Sequence, residues 1–405
     1  MTAVAALETW LWLSSAELSL RAKAALLERF GDAETAFSSP DGAFREMTGL
    51  TRQEAETLEK RDLSRVRDIA AACAQQELRI VTMQDAAYPA RLRYIFAPPV
   101  VLYVRGELPP LDSFPAIAVV GTRRASVYGR KMARDLSYQM AASGAVILSG
   151  LTAGIDAEAA WGALAAGGRC IGILGTPHEA ERGRLAETVA ARGALISEYA
   201  PGTRLQRSFF RERNRITAGL SLGVLAVEAP EKSGTRLFVE EAAAQGKEIF
   251  AVPGNADAEG SAGTLAMLKD GAKLVTCGWD VLSEFEALYP GALKRSSALH
   301  APEEPALKPV PVGEHSAPAE KKPKAALDKP GAGDYIDLKQ QLSELSEDQL
   351  RIIAAMDAGP VHVDDIVERS QLPVAKVLGQ LTMLEIRGYV RRLPGRRFER
   401  KISKK

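Results

Sequence analysis

An α/β fold built on a parallel sheet, with helices on both faces, is what the middle of this chain predicts. Three observations carry that prediction. Six short apolar runs, at 117–120, 146–149, 170–174, 194–197, 224–227 and 249–252, show no strict in–out alternation. Helical patterns separate most of them, for example at 129–142 and 236–245. Ser149 to Gly162 reads SGLTAGIDAEAAWG, an apolar strand running through a glycine loop into an alanine-rich helix. Continuous apolar strands are buried on both faces, as in helix-covered parallel sheets. In such sheets ligands sit beyond the C-terminal ends of the strands.

The flanks differ in kind. Residues 1–77 read as short helices, with apolar residues at helical spacing through Leu7, Trp10 and Leu11 and again through Leu20, Ala24 and Leu27. Gly31 has the position of a helix C-cap. This is a small helical domain of the SAM-like or helix-hairpin-helix-like kind. The turn Ser19-Leu20-Arg21 lacks the glycines of a DNA-binding hairpin, which favours a packing role. The sheet domain is expected over 78–290. A Pro-, Ala-, Lys- and Glu-rich flexible linker is expected over 291–340, where apolar periodicity is absent. Residues 341–405 predict three helices, the third opened by Pro373, and a hairpin turning at Pro394-Gly395, in the order of a winged helix-turn-helix.

Composition narrows the function. The net charge is +1, so nucleic-acid binding would have to come from local basic clusters. Cys73, Cys170 and Cys277 are scattered and without ligand spacing, which argues against a zinc site or a disulfide frame and for a reducing, cytoplasmic setting. The apolar N-terminus carries Glu8 and has no basic leader region, so it reads as a domain helix and not as a signal peptide. No apolar run has the length of a membrane span.

The chemistry lies in the loops. The first strand of the parallel set ends in Gly121-Thr122-Arg123-Arg124-Ala125-Ser126. Its glycine admits a ligand close to the backbone, its arginines offer forked cationic donors, and Ser126 is placed to cap the next helix. Gly150 opens the next loop, where backbone N–H groups and a helix start favour an anion. Asp156 follows, at a position where a carboxylate caps a helix or pairs with a buried arginine. Arg204, Arg207, Phe209, Phe210, Arg211, Arg213, Asn214 and Arg215 form a basic segment with interleaved aromatics, which suits single-stranded nucleic acid. One ring is expected in the core and one available, and an arginine or two is expected to pair with Glu198, Glu212 or Glu228. Ser233-Gly234-Thr235 is another anion-ready helix start. The motifs H-E-x-x-H and G-x-x-x-x-G-K-[ST] do not occur, and the four histidines are dispersed.

Taken in order, these segments resemble the DprA/Smf family of DNA-processing proteins. The likeness runs from Tyr88-Pro89 through Pro98 to Tyr103, Val120 to Arg123, Tyr128-Gly129, SGLTAGID, Ser197-Glu198-Tyr199, Arg213 to Ile216, Val227 to Ala229, Ser233 to Thr235 and Val252 to Gly254. It covers about residues 88–272. Ala160 stands where the family usually has His, Thr152 where it has Ala, Arg211 where it has Pro and Leu265 where it has Asn.

The resemblance implies a Rossmann-like core, a homodimer, single-stranded DNA as ligand and the recombinase RecA as partner. It implies a recombination mediator that protects incoming DNA in natural transformation and helps load RecA, with no catalytic residues, cofactor or metal. The DNA pocket it implies uses Gly121, Thr122 and Arg123 together with Arg207 and Phe210. Arg124, Ser126, Gly150, Arg213, Asn214, Arg215, Ser233, Gly234 and Thr235 complete the expected site. The alternative is a nucleotide-processing enzyme of the lysine-decarboxylase-like phosphoribohydrolase type. Lys232-Ser233-Gly234-Thr235 lacks the double glycine of that group's loop. In the C-terminal domain, Lys376, Arg391, Arg392, Arg396 and Arg397 are candidate contacts to duplex DNA, with a solvated hairpin or a protein-docking module as the competing readings.

Overall fold

The computed structural model describes residues 6–297, 300–301, 347–356, 359, 361–372, 377, 380–381, 384, 389–393 and 397–400. They belong to two compact units, Met1–Glu314 and His315–Lys405, each described by itself.

The first unit opens with five helices, α1 (Ala6–Ser15), α2 (Leu20–Phe30), α3 (Ala33–Phe37), α4 (Arg52–Glu59) and α5 (Ser64–Gln75). Local chemistry sets their ends. Ser19 caps α2 by accepting from Ala22 N, and Gly31 closes that helix with φ 79°. Thr51 and Glu54 form a reciprocal capping box on α4. Their apolar faces, with Trp10, Leu26, Phe44 and Leu58, close a core that includes Val101 and Tyr103 of the sheet.

The sheet follows: β1 (Arg79–Thr82), β2 (Val101–Gly106), β3 (Ala116–Val120), α6 (Val127–Ala142), β4 (Val146–Ser149), α7 (Ile155–Ala165), β5 (Arg169–Leu174), α8 (Arg184–Arg192) and β6 (Ala194–Ser197). Then come α9 (Phe209–Glu212), α10 (Asn214–Leu220), β7 (Gly223–Ala226), α11 (Gly234–Ala244), β8 (Glu248–Ala251), α12 (Ala262–Lys269), β9 (Lys273–Leu274) and α13 (Gly278–Leu282). Nine strands lie in the order β1-β2-β6-β5-β4-β3-β7-β8-β9. The six expected strands are β3 to β8 and pair in parallel. β2 runs antiparallel to β6 and to β1, so the sheet is mixed and mostly parallel.

Successive residues of β3 serve different cores. Ala118 and Val120 pack on one face with Ile216 and Phe238, while Ile117 and Val119 pack on the other with Leu136 and Ile155. Such two-sided burial is why these strands carry no polar alternation. From β3 the chain steps to β4 on one side, and it later returns to β7 on the other. That reversal opens a crevice at the C-terminal end of β3.

In the second unit, helices Glu347–Ala354 and Val363–Ser370 accompany strands β10 (Val361–His362), β11 (Val390–Leu393) and β12 (Arg397–Arg400). Their sheet order is β10-β12-β11, with both pairings antiparallel. Ile352, Ile366, Leu381 and Phe398 share its core. The Pro394-Gly395 turn, most of the expected third helix and most of the expected linker lie outside the described residues.

Candidate nucleic-acid interface

Four loops meet at the crevice. The first leaves β3 as Gly121-Thr122-Arg123-Arg124. Thr122 N donates to Glu228 O (2.8 Å), and Ser126 N donates to the Glu228 carboxylate (2.9 Å), so one residue brackets both ends of the loop. Ser126 caps α6 by accepting from Gly129 N (3.0 Å). The turn presents Arg123 and Arg124 exposed.

The second loop joins β4 to α7. Ser149 Oγ donates to Asp156 O (2.8 Å) and accepts from Leu151 N (3.0 Å), which closes the turn. Leu151 takes φ 54°, a left-handed conformation that a branched side chain disfavours, and such strain concentrates at functional loops. Gly154 takes φ 83°, and a Cβ there would lie 2.3 Å from Thr122 O. Only glycine lets the second loop lie against the first.

The third wall is the basic segment. Tyr199 stacks on Phe209 with ring centroids 3.8 Å apart, which buries Phe209 and turns Phe210 to the crevice. Arg213, between α9 and α10, donates through Nη1 to Ile173 O (2.7 Å). A Cβ on Gly150 would lie 2.2 Å from that same Nη1, so the glycine makes room for the guanidinium. Arg215 Nη2 donates to both Glu198 oxygens (2.7 Å each), and Lys23 Nζ of α2 reaches Glu198 from the other side (3.3 Å). The fourth wall is Ser233-Gly234-Thr235 at the start of α11. Ser233 makes no side-chain cap there, and its Oγ is buried without a partner.

The walls enclose a cleft of about 530 Å³, inside the ~300–1,000 Å³ range of ligand sites. Gly121, Thr122, Arg123, Gly150, Arg207, Phe210, Arg213, Asn214, Ser233, Gly234 and Thr235 line it. Arg124, Ser126 and Arg215 do not: Arg124 is exposed beside the cleft, Ser126 serves α6, and Arg215 lies buried against Glu198. Thr152, Asp156, Arg211 and Thr217, absent from the expected site, also line the cleft. For Thr217 the sequence does hold a signal, since it lies one helical turn after Asn214 and four residues after Arg213.

The field in the cleft is cationic. Arg123, Arg207 and Arg211 are exposed on its rim and Arg213 is buried in its wall, against one lining carboxylate, Asp156. Burial pushes the Asp156 carboxyl up from its ordinary value, against the pull of Arg213, the Thr152 hydroxyl (2.9 Å) and Arg123. Burial likewise pushes Arg213 down, and Asp156 opposes that shift. The Arg213 Nε, Thr217 Oγ1 and Ser233 Oγ atoms are buried without partners, so the cleft holds unused hydrogen-bonding capacity beside its charge. Among the described residues, no group of three or more His, Cys, Asp or Glu side chains is placed to hold a metal ion. None of the described helices is long and apolar enough to cross a membrane.

In the second unit Arg391 is exposed and pairs with Glu399 (3.5 Å), and Arg397 is exposed. Arg392 lies in β11. Lys376 and Arg396 lie outside the described residues.

Residues 79–286 match the family described as DNA recombination-mediator protein A, and residues 337–396 match the DprA winged helix domain. Protein Smf of Synechocystis is 33% identical over 334 residues, covering 81% of this chain and 81% of its own. Protein Smf of Escherichia coli is 32% identical over 360 residues, covering 88% and 86%. The X-ray structure of DNA processing protein A from Streptococcus pneumoniae superposes with a TM-score of 0.60 at 31% identity, covering 68% of this chain and 96% of that one.

Proposed function

The chain belongs to the DNA recombination-mediator protein A family, and on that premise we propose that its cleft binds the backbone of single-stranded DNA without catalysis. The observation that carries the reading is the crevice at the end of β3, where four arginines face one carboxylate. Arg123 and Arg207 grip phosphates, Phe210 stacks on a base, and the amides at the start of α11 add anion contacts. Arg213, held on Ile173 O, supplies a fixed positive charge behind them.

In this reading the protein coats incoming single strands during transformation and hands them to RecA, acting as a homodimer. The winged-helix unit adds contacts to duplex DNA through Arg391 and Arg397. A combination of rim cations and stacking rings suits a mediator, because it holds a strand independently of its sequence and releases it without breaking a bond.

The test is an anisotropy titration with oligothymidine. Arg123→Ala and Arg207→Ala should each weaken binding about tenfold while the protein stays folded, in line with loss of a charge-assisted hydrogen bond. Unchanged affinity in both variants would sink the assignment. Incubation with nucleoside monophosphates should release no free base. Turnover would favour the phosphoribohydrolase reading instead.

A further inference from the structure

We propose that Thr217 and Asn214 read the Watson–Crick edge of one unpaired nucleobase, and thereby make the cleft selective for single strands. The inference rests on the reading of the cleft as a DNA site and goes a step further, from backbone to base.

Its starting point is a hydroxyl left idle. Thr217 is 2% exposed, lies in α10 and lines the cleft, yet its Oγ1 has no partner. A threonine inside a helix ordinarily turns its hydroxyl onto the carbonyl four residues back. Among the described residues, Thr57 (Gln53 O, 2.8 Å) and Thr188 (Arg184 O, 2.6 Å) do so. At Thr217 the carbonyl four residues back, Arg213 O, accepts the backbone N–H groups of Ile216 (3.0 Å) and Thr217 (3.2 Å). A buried hydroxyl without a bond is costly, so a ligand group that satisfies it gains affinity from the difference.

Asn214 sits one turn earlier on the same side of α10, half-exposed in the same cleft. Its amide offers two donors and one acceptor, and the hydroxyl of Thr217 both donates and accepts. Phosphate oxygens only accept, so a bare backbone would use these groups in part. The edge of an unpaired base carries donors and acceptors side by side and uses both. In a duplex that edge is already engaged by the partner strand. The rim therefore supplies affinity for any polyanion, and these two residues supply the preference for an unpaired strand. Phe210, on the adjoining wall, gives the ring a stacking surface.

The experiment compares two oligomers on the full chain by anisotropy: oligothymidine, and the same oligomer methylated at N3 of every base. Charge and stacking faces are alike, and only the base edge is blocked. The wild type should bind the unmodified oligomer about tenfold more tightly, the worth of one to two hydrogen bonds. Thr217→Val, which keeps the branched shape, should shrink that preference to about twofold. Asn214→Ala should act in the same direction and decides alone if the valine variant does not fold. Equal wild-type affinity for the two oligomers overturns the proposal, as does a full preference retained in the variants. Arg123→Ala separates the two levels of failure. If it still weakens binding to both oligomers, only the base contact has failed; if it weakens neither, the reading of the cleft has failed with it.

Discussion

Arg213 and Arg215 are two residues apart, and they do opposite things. Arg213 points into the cleft wall, held by Ile173 O near Asp156. Arg215 points to the back, where Glu198 and Lys23 close a buried ion cluster between α10, the end of β6 and α2. The front of the basic segment is an unfilled cationic surface, whereas at the back the charge is paired, even though Arg215 Nε and Nη1 make no hydrogen bond. A charge in the protein's own interior needs its counter-ion built in, whereas a charge that awaits a polyanion must be left unpaired. The same segment thus carries one arginine for holding the wall in place and several for holding something else.

The sharpest way to break this comparison is to remove the back. Arg215→Met leaves Glu198 buried with Lys23 alone, and breaking such a pair typically costs about 3–5 kcal/mol. Denaturant unfolding should show a loss of that order. Arg207→Ala should instead leave stability within about 0.5 kcal/mol, since the residue is exposed and away from the core. Its effect should fall on binding, where the slope of log affinity against log salt should drop by about 0.7 for each phosphate that is no longer neutralised. If Arg207→Ala unfolded the protein, or Arg215→Met left it as stable as the wild type, front and back would not be distinct.

Between these extremes stands Gly150, which touches the front from behind. A Cβ there would lie 2.2 Å from Arg213 Nη1 and 2.8 Å from its Cζ. Gly150→Ala must therefore displace a guanidinium that is anchored on a buried carbonyl. We expect about 1 kcal/mol of lost stability from the weakened hydrogen bond, together with a several-fold loss of oligothymidine affinity. Unfolding and anisotropy on one sample check both. A change in stability alone would place Arg213 with Arg215 as a structural residue.

How far this division is legible in the sequence depends on what the chain's pattern encodes. The parallel strands are readable because burial on both faces leaves continuous apolar runs such as 117–120. β2 escapes that reading, although Val101 to Val104 is just as apolar, because it runs antiparallel beside β6 and no helical crossover marks it. The anion-ready loops are readable from their glycines and from strand–loop–helix order. The opposite fates of Arg213 and Arg215 are not, because helical spacing puts two residues that are two apart on different sides without saying which side meets the cleft. Pairing of an arginine with Glu198 is an open choice among three glutamates in the sequence, and only tertiary placement makes it. The place of Thr217 is legible from its helical spacing to Asn214, but its unused hydroxyl emerges only once its neighbours are in place.

The smallest expected effect is the change that acid brings, and it tests whether the back is held by charge or by packing. Burial alone would raise the Glu198 carboxyl, but Arg215 and Lys23 outweigh it and hold it below its ordinary value of 4.5. The phenols of Tyr88 and Tyr199, the other titratable groups nearby, are pushed up by burial first and by Glu198 second, and so stay neutral. A carboxyl depressed in the folded state stabilises it above the unfolded value, and that contribution fades as the pH falls through the folded value. Glu198→Gln strands Arg215 and Lys23 without a counter-charge, so the variant should be less stable than the wild type at pH 7. The gap should begin to close below about pH 4.5, as the wild type gives up the same charge. Thermal unfolding of both proteins from pH 7 to pH 3 measures it. A gap that stays constant across that range would mean that Glu198 holds the back by shape, leaving the contrast with the cationic front one of packing rather than of charge.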